Sequence, residues 1–327
     1  TGNLSDRHYR SGEPWAAEHL AEIQSSTGNE DVTPSYVEVN FNNACNLSCS
    51  YCSPQFSSSW AEEISHHGAY PTSTPHNHPD HFTGDRRVIP NREANPYVEA
   101  FFRWWETDLH TTLRELRITG GEPLMSGHTW KLLDWFKENK SDMLFSINSN
   151  LGFEKDVIDR LLNSLEGIKF TLYSSNESVG PHAEYIRDGL KWEQWVSNME
   201  YLLESKRLEM LSVMTTLNAI CLESLPEFLD LMIYWKKIYG KRQITFSLNI
   251  LRDPRYQSIC VLPLHLRSLY KKRLEDWFLL NEINHQYLQT EEVDQFKRLI
   301  DYIDKVEAPS SRDFDRQLEE KIGRAHV

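Results

Sequence analysis

The chain of 327 residues carries 35 Lys and Arg against 48 Asp and Glu, a formal net charge of −13. That length buries the core of one large α/β domain with additions and excludes a small disulfide-stapled scaffold. The acidic balance, with no run of Lys or Arg to offset it, argues against nucleic-acid or anionic-membrane partners, and no stretch approaches the roughly 18 consecutive apolar residues of a membrane span.

In chain order, residues 1–34 read as a polar N-terminal extension with one amphipathic helix at Pro14–Gln24. The start has no secretory pattern, so a cytoplasmic protein is expected. From Tyr36, SYVEVNF reads as a strand that ends in the polar loop NNACNLSCSYCSP. Residues 62–96 are rich in His, Pro, Gly and Thr and read as an insertion before a helix at Tyr97–Leu109. LRELRITGGEP is the second strand, running into a Gly-Gly turn. LFSINSN, IKFTLYSS, LSVMTTLN and ITFSLNI complete a set of six runs rich in β-branched and aromatic residues. Between them, Thr129–Asn139, Glu154–Leu165, Trp192–Leu208 and Leu222–Tyr239 carry apolar residues at three- and four-residue intervals, the spacing of helices. Alternating strands and helices predict βαβ units and a parallel sheet over residues 35–250, with ligands gathered at the carboxyl ends of the strands. Residues 251–321 turn helical, with Leu264–Asn281 and Glu291–Val306 as a C-terminal appendage.

The chain starts at Thr1 without a methionine, and Ile322–Val327 resembles the read-through of a sequencing adapter. A fragment is therefore expected, with residues 322–327 artefactual.

Three of the five cysteines, Cys45, Cys49 and Cys52, are spaced C-x3-C-x2-C on the loop after the first strand, while Cys221 and Cys260 stand alone. This is the layout of a metal site, not of a disulfide framework. Three thiolates on a short loop can bind three corners of an iron–sulfur cube and leave the fourth iron open. The rival metal is zinc, although a closed structural zinc site uses four ligands. The histidines His66, His67, His76, His78 and His81 of the insertion match no metal-site spacing, and the segment's position beside the cysteine loop suggests a lid instead. The pair Trp104 and Trp105 reads as helix surface and core.

CNLSCSYC, with Tyr51 at the aromatic position, resembles the cysteine loop of the radical S-adenosylmethionine (SAM) superfamily, and Gly120, Gly121, Glu122 and Pro123 match its GGEP motif on the next strand end. The resemblance spans roughly Tyr36–Ile250 and implies a partial (β/α)6 barrel. It also implies a [4Fe-4S] cluster on the three cysteines, whose open iron chelates SAM and cleaves it reductively to a radical that abstracts hydrogen. By the same resemblance, Gly120 and Gly121 hold the SAM amine and Glu122 orders the turn. Further contacts come from Asn150 beside Ser149, from Ser175, from Asn218, and from Ile250 beside Asn249. Two positions depart from the family pattern: Leu151 stands where a glycine is usual, and Glu177 stands where an aspartate is usual. EYIRDGLKW and the Ser57–Trp60 segment resemble SPASM/twitch-type relatives, in which Arg187 is structural or clamps a carboxylate. Such relatives often carry auxiliary clusters, yet this chain has no cysteine after Cys260. The implied partners are a peptide or small-molecule substrate and a reductant such as flavodoxin or ferredoxin. The alternative is a noncatalytic metal-binding or interaction protein on the same barrel, or a scaffold whose cluster only carries electrons.

Overall fold

All six expected strands form and lie side by side in chain order as one parallel sheet. The computed structural model describes residues 12–28, 33–68, 95–280 and 286–305. Its strands are β1 (Tyr36–Asn40), the two-residue β2 (Ser48–Cys49), β3 (Glu115–Thr119), β4 (Leu144–Ser149), β5 (Phe170–Ser175), the two-residue β6 (Arg187–Asp188), β7 (Met210–Leu217) and β8 (Ile244–Ile250). The main sheet has the order β1-β3-β4-β5-β7-β8, while β2 and β6 pair antiparallel with each other. Every main pairing is parallel, from Tyr36↔Glu115 at one edge to Leu217↔Ile250 at the other. A parallel neighbour requires a crossover, which here is a helix in the regular units. Because β1 and β8 do not pair, the result is an open, partial (β/α)6 barrel.

The helices are α1 (Pro14–Ser25), α2 (Ser58–His67), α3 (Pro96–Trp104), α4 (Gly127–Glu138), α5 (Lys155–Ser164), α6 (Gly180–Ile186), α7 (Trp192–Ser205), α8 (Leu225–Tyr239), α9 (Leu264–Leu280) and α10 (Thr290–Lys305). Two of them, α2 and α6, escaped the sequence reading, as did the β2–β6 pair. The expected helix at Tyr97–Leu109 divides: α3 is capped by Asn95, whose side chain accepts from Tyr97 N at 3.0 Å, and continues as a π turn at Trp105–Leu109 that buries Trp105. Trp104 faces solvent, as expected of it. Most of the His/Pro-rich insertion, with His76, His78 and His81, lies outside the described residues, as does 322–327.

Alternation along the strands separates two environments. Leu116 and Ile118, Phe145 and Ile147, Phe170 and Leu172, and Leu211 and Val213 are fully buried against the helical layer. Each such side chain contributes about 1.5–3 kcal/mol by leaving water. The opposite phase points into the lumen and is polar: Arg117 donates to Asn148 Oδ1 from Nε and Nη2 at 3.1 and 3.0 Å and lies 4.0 Å over the Tyr173 ring. The helices complete the core with the predicted spacing, as in Leu132, Leu133 and Phe136 of α4 or Phe228, Leu229 and Met232 of α8.

The exposed edge of β8 is covered by α10. Glu292 Oε1 accepts from Phe246 N at 3.0 Å and Gln295 Oε1 accepts from Leu248 N at 2.6 Å, so a helix supplies acceptors that a seventh strand would have offered. Glu292 also pairs at 2.7 Å with Lys236, which is buried on α8. Among the described residues, no helix is long and apolar enough to cross a membrane.

Candidate active site

The loop after β1 has little regular backbone pairing, so side chains take over the role of partner. Asn42 Oδ1 accepts from Ala44 N, Asn43 Nδ2 donates to Pro54 O, and Asn46 Nδ2 donates to Gly152 O beyond the end of β4. The serines that open α2 hold the same loop from the other side. Ser57 Oγ donates to Leu47 O at 2.7 Å, Ser59 Oγ donates to Cys45 O at 2.7 Å, and Trp60 Nε1 donates to Cys49 O at 2.9 Å. The Ser57–Trp60 segment is therefore a brace for the cysteine loop. A further strand-like tie pairs Cys49 with Arg187.

The Gly-Gly turn after β3 packs directly on this loop. Gly120 adopts φ +128, a conformation that disfavours side chains. At Gly121 the constraint is contact: a Cβ would lie 2.3 Å from Ala44 O and 2.7 Å from Asn43 C. Glu122 N donates to Ala44 O, and the Glu122 side chain accepts from Leu124 N at 3.1 Å and from Asn150 N at 2.6 Å. One buried carboxyl thus joins the cysteine loop, the β3 exit and the β4 exit. Burial raises that carboxyl to about 7, against the Asn150 and Leu124 N–H groups, which favour its charged form.

Between loop and turn lies a cavity of about 230 Å³. Cys45, Cys49, Cys52, Tyr51, Gly120, Gly121, Glu122, Asn150 and Ser175 all line it, so nine of the anticipated residues meet there. Three others do not line it. Pro123 opens a 3-10 turn beside it. Asn218 is fully buried, donating to Thr216 O and accepting from the N–H groups of Ile220 and Cys221, which makes it a turn residue. Ile250 ends β8 and packs against the core. Leu47, Phe56, Asn148 and Thr216 line the cavity without having been anticipated. For Asn148 and Thr216 the signal was available, since each lies on a strand phase that points into the lumen.

Charge in the site is concentrated on one pair. Arg187 Nη2 meets Glu177 Oε2 at 2.6 Å with both side chains buried, and Glu177 also accepts from Tyr51 Oη and from Thr216 N. Arg187, anticipated as structural or as a carboxylate clamp, has an intrachain carboxylate partner in Glu177. Burial opposes the Arg187 charge, but Glu177, Tyr51 and Cys49 more than offset it and hold the guanidinium protonated. Its Nη1 donates to Cys49 Sγ at 3.7 Å. Burial pushes Cys45 and Cys52 up to about 12 and also raises Cys49, where Arg187 opposes the effect. Thiols so placed ionise when a cationic group is brought among them.

An iron–sulfur cluster needs each thiolate to reach a different iron. Three thiols spread around one cavity, beside a turn that has no room for a Cβ, fit a cluster. Cys221 and Cys260 are buried in separate 3-10 turns, with Cys221 Sγ accepting from Asn218 N.

No curated protein sequence matches the chain significantly. Among solved structures, SuiB of Streptococcus suis bound to S-adenosylmethionine is similar at 14% identity and a TM-score of 0.46, covering 86% of this chain and 56% of SuiB. SuiB bound to its precursor peptide SuiA gives 15% identity and a TM-score of 0.46, with 82% and 51% covered. anSMEcpe with bound AdoMet gives 13% identity and a TM-score of 0.46, with 76% and 61% covered. The chain spans little more than half the length of SuiB. The Radical SAM superfamily model matches residues 39–232, which is more than half of the chain and runs from the end of β1 into α8. By that match the chain belongs to the radical SAM superfamily.

Proposed function

We propose that this protein is a radical SAM enzyme in which Cys45, Cys49 and Cys52 hold a [4Fe-4S] cluster and S-adenosylmethionine lies against the Gly120–Gly121–Glu122 turn. The observation that carries this reading is the shared cavity: three thiols face a turn whose second glycine leaves no space for a Cβ. When bound and reduced, the cluster and SAM supply a carbon-centred radical that removes hydrogen from a substrate. The chain's own residues do the positioning. Carbonyls of the glycine turn are available to an ammonium group, and Glu122 fixes the turn by its two backbone hydrogen bonds. Asn150 donates to Asn46 Oδ1 at 2.7 Å and so locks the cysteine loop to the end of β4. Arg187 places a buried cation beside Cys49, where it offsets thiolate charge. The substrate, a peptide or a small metabolite, enters the polar lumen below, and a small one-electron donor such as flavodoxin or ferredoxin supplies the reducing equivalent.

The test is anaerobic reconstitution with iron and sulfide, reduction, and addition of SAM. Formation of 5′-deoxyadenosine that disappears when any one of the three cysteines is changed to Ala supports the proposal. Protein with a full complement of iron and sulfide that yields none contradicts it.

A further inference from the structure

The buried pair of Arg187 and Glu177 adjoins the cysteine loop without belonging to it. β6 brings Arg187 opposite Cys49 in register, and Ser50 N donates to Ile186 O at 2.7 Å beside that pairing, so the backbone fixes how close the two residues come. The side chain is then held from several sides. Nη2 meets Glu177 Oε2 at 2.6 Å, Nη1 donates to Cys49 Sγ at 3.7 Å, and the guanidinium carbon lies 5.5 Å from the centroid of the Tyr51 ring. The Arg187 and Glu177 side chains are 5% and 1% exposed, so water and salt screen their field little.

Seen from the sulfur, the pair is polarised. Its cationic end donates to Sγ directly. Its anionic end is shared among other donors: Tyr51 Oη donates to the two Glu177 oxygens at 3.4 and 3.3 Å, and Thr216 N donates to Oε2 at 3.3 Å. Cys49 therefore meets the positive charge first. Arg187 also lines the cavity of the three cysteines, and its Nε is buried with no acceptor among the described residues. Buried donors are nearly always satisfied, and the sulfurs of a cluster are acceptors, so the residue fits one. A fixed cation and N–H donors beside a ligating sulfur stabilise a cluster most in its reduced, more negative state, which raises its reduction potential.

We propose that Arg187 is a positioning residue for the [4Fe-4S] cluster: oriented by Glu177, it donates to the Cys49 sulfur and sets the cluster's reduction potential, keeping it within reach of a one-electron donor. The proposal deepens the radical SAM reading and rests on the cluster assigned there.

The test is a redox titration of the full chain, anaerobically reconstituted and without SAM, using dithionite and mediator dyes and following the electron paramagnetic resonance of the reduced cluster. Arg187→Gln keeps a donor and removes the charge. At a fixed solution potential its ratio of reduced to oxidised cluster is expected to be roughly ten- to thirty-fold below wild type, a fall of about 60–90 mV for a one-electron couple. Glu177→Gln keeps the cation and removes its anion, and its potential rises above wild type. The double variant, a neutral pair of nearly the same shape, falls below wild type but by less than Arg187→Gln alone. Equal potentials in all four proteins, or shifts of the same sign in both single variants, overturn the proposal. So does loss of the cluster from all three variants, which makes the pair a brace for the loop and nothing more. Because SAM is absent, the two readings fail separately. The expected shifts without 5′-deoxyadenosine formation contradict the enzyme reading alone, and 5′-deoxyadenosine formation with unmoved potentials contradicts this one alone.

Discussion

Gly121→Ala probes the join between the two motifs. The added Cβ falls about 1 Å short of ordinary contact with Ala44 O and also meets Asn43, both of them backbone that cannot rotate away. Relief requires the turn and the cysteine loop to separate, which breaks Gly121 N to Asn42 O and Glu122 N to Ala44 O. Two lost hydrogen bonds at about 1 kcal/mol each, added to an overpacking cost of about 1–3 kcal/mol, give a loss of about 3–5 kcal/mol. The control is Gly127→Ala at the start of α4, where a Cβ meets nothing within 4 Å; it is expected within about 0.5 kcal/mol of wild type or slightly more stable. Urea unfolding of the metal-free chain reads the energy, and iron content after reconstitution reads the cradle. A Gly121→Ala protein within about 0.5 kcal/mol of wild type and with full iron would refute the argument.

Leu151 adopts φ +54, a conformation that suits glycine, yet it is fully buried; relief of about 1–2 kcal/mol of backbone strain is outweighed by a cavity cost of about 3–5 kcal/mol. Leu151→Gly is therefore expected to destabilise by about 1–4 kcal/mol in urea, and a more stable variant would contradict this. Glu122 keeps its proton up to a pH of about 7 in the fold, against 4.5 for an ordinary glutamate, so the folded state binds more protons between those values. Its contribution is full below pH 4.5 and is lost as pH rises to about 7, by up to about 3 kcal/mol; the stability difference between wild type and Glu122→Gln should show that slope and be flat above pH 8. Lys236→Met leaves Glu292 buried without its cation and is expected to cost about 3–5 kcal/mol. The double variant with Glu292→Gln recovers part of that loss, and strict additivity would show that the two side chains are not coupled.

What could be read from the sequence follows from how local each signal is. The six strands announce themselves by alternation, as in Phe145 and Ile147 against Ser146 and Asn148, and the cysteine and glycine motifs by chemistry that tolerates few other spacings. The β2–β6 ladder carries two residue pairs and no periodicity, so the meeting of Cys49 with Arg187 was invisible. Glu177 stood out only as a departure from a pattern; its task, tying Arg187, Tyr51 and β7 together, depends on three distant elements. α2 escaped because its buried face is only Trp60 and Ile64, followed by a His-rich run that reads as loop. Asn218 carries two signals at once: a strand-end asparagine matches a cofactor position in the family pattern, and its side chain also makes the hydrogen bonds of a turn. The lumen pairing of Arg117 with Asn148 and Tyr173 followed from strand phase but needed the sheet register to bring three strands together.

The central claim is that three cysteines leave one iron open for SAM. It is tested most directly by electron paramagnetic resonance of the anaerobically reconstituted, reduced protein before and after SAM is added. The account predicts about four irons per chain, a reduced-cluster signal, and a change in that signal on adding SAM that is absent in Cys49→Ala. Bound zinc without an iron–sulfur signal, or a cluster signal that SAM leaves unaltered, would contradict it.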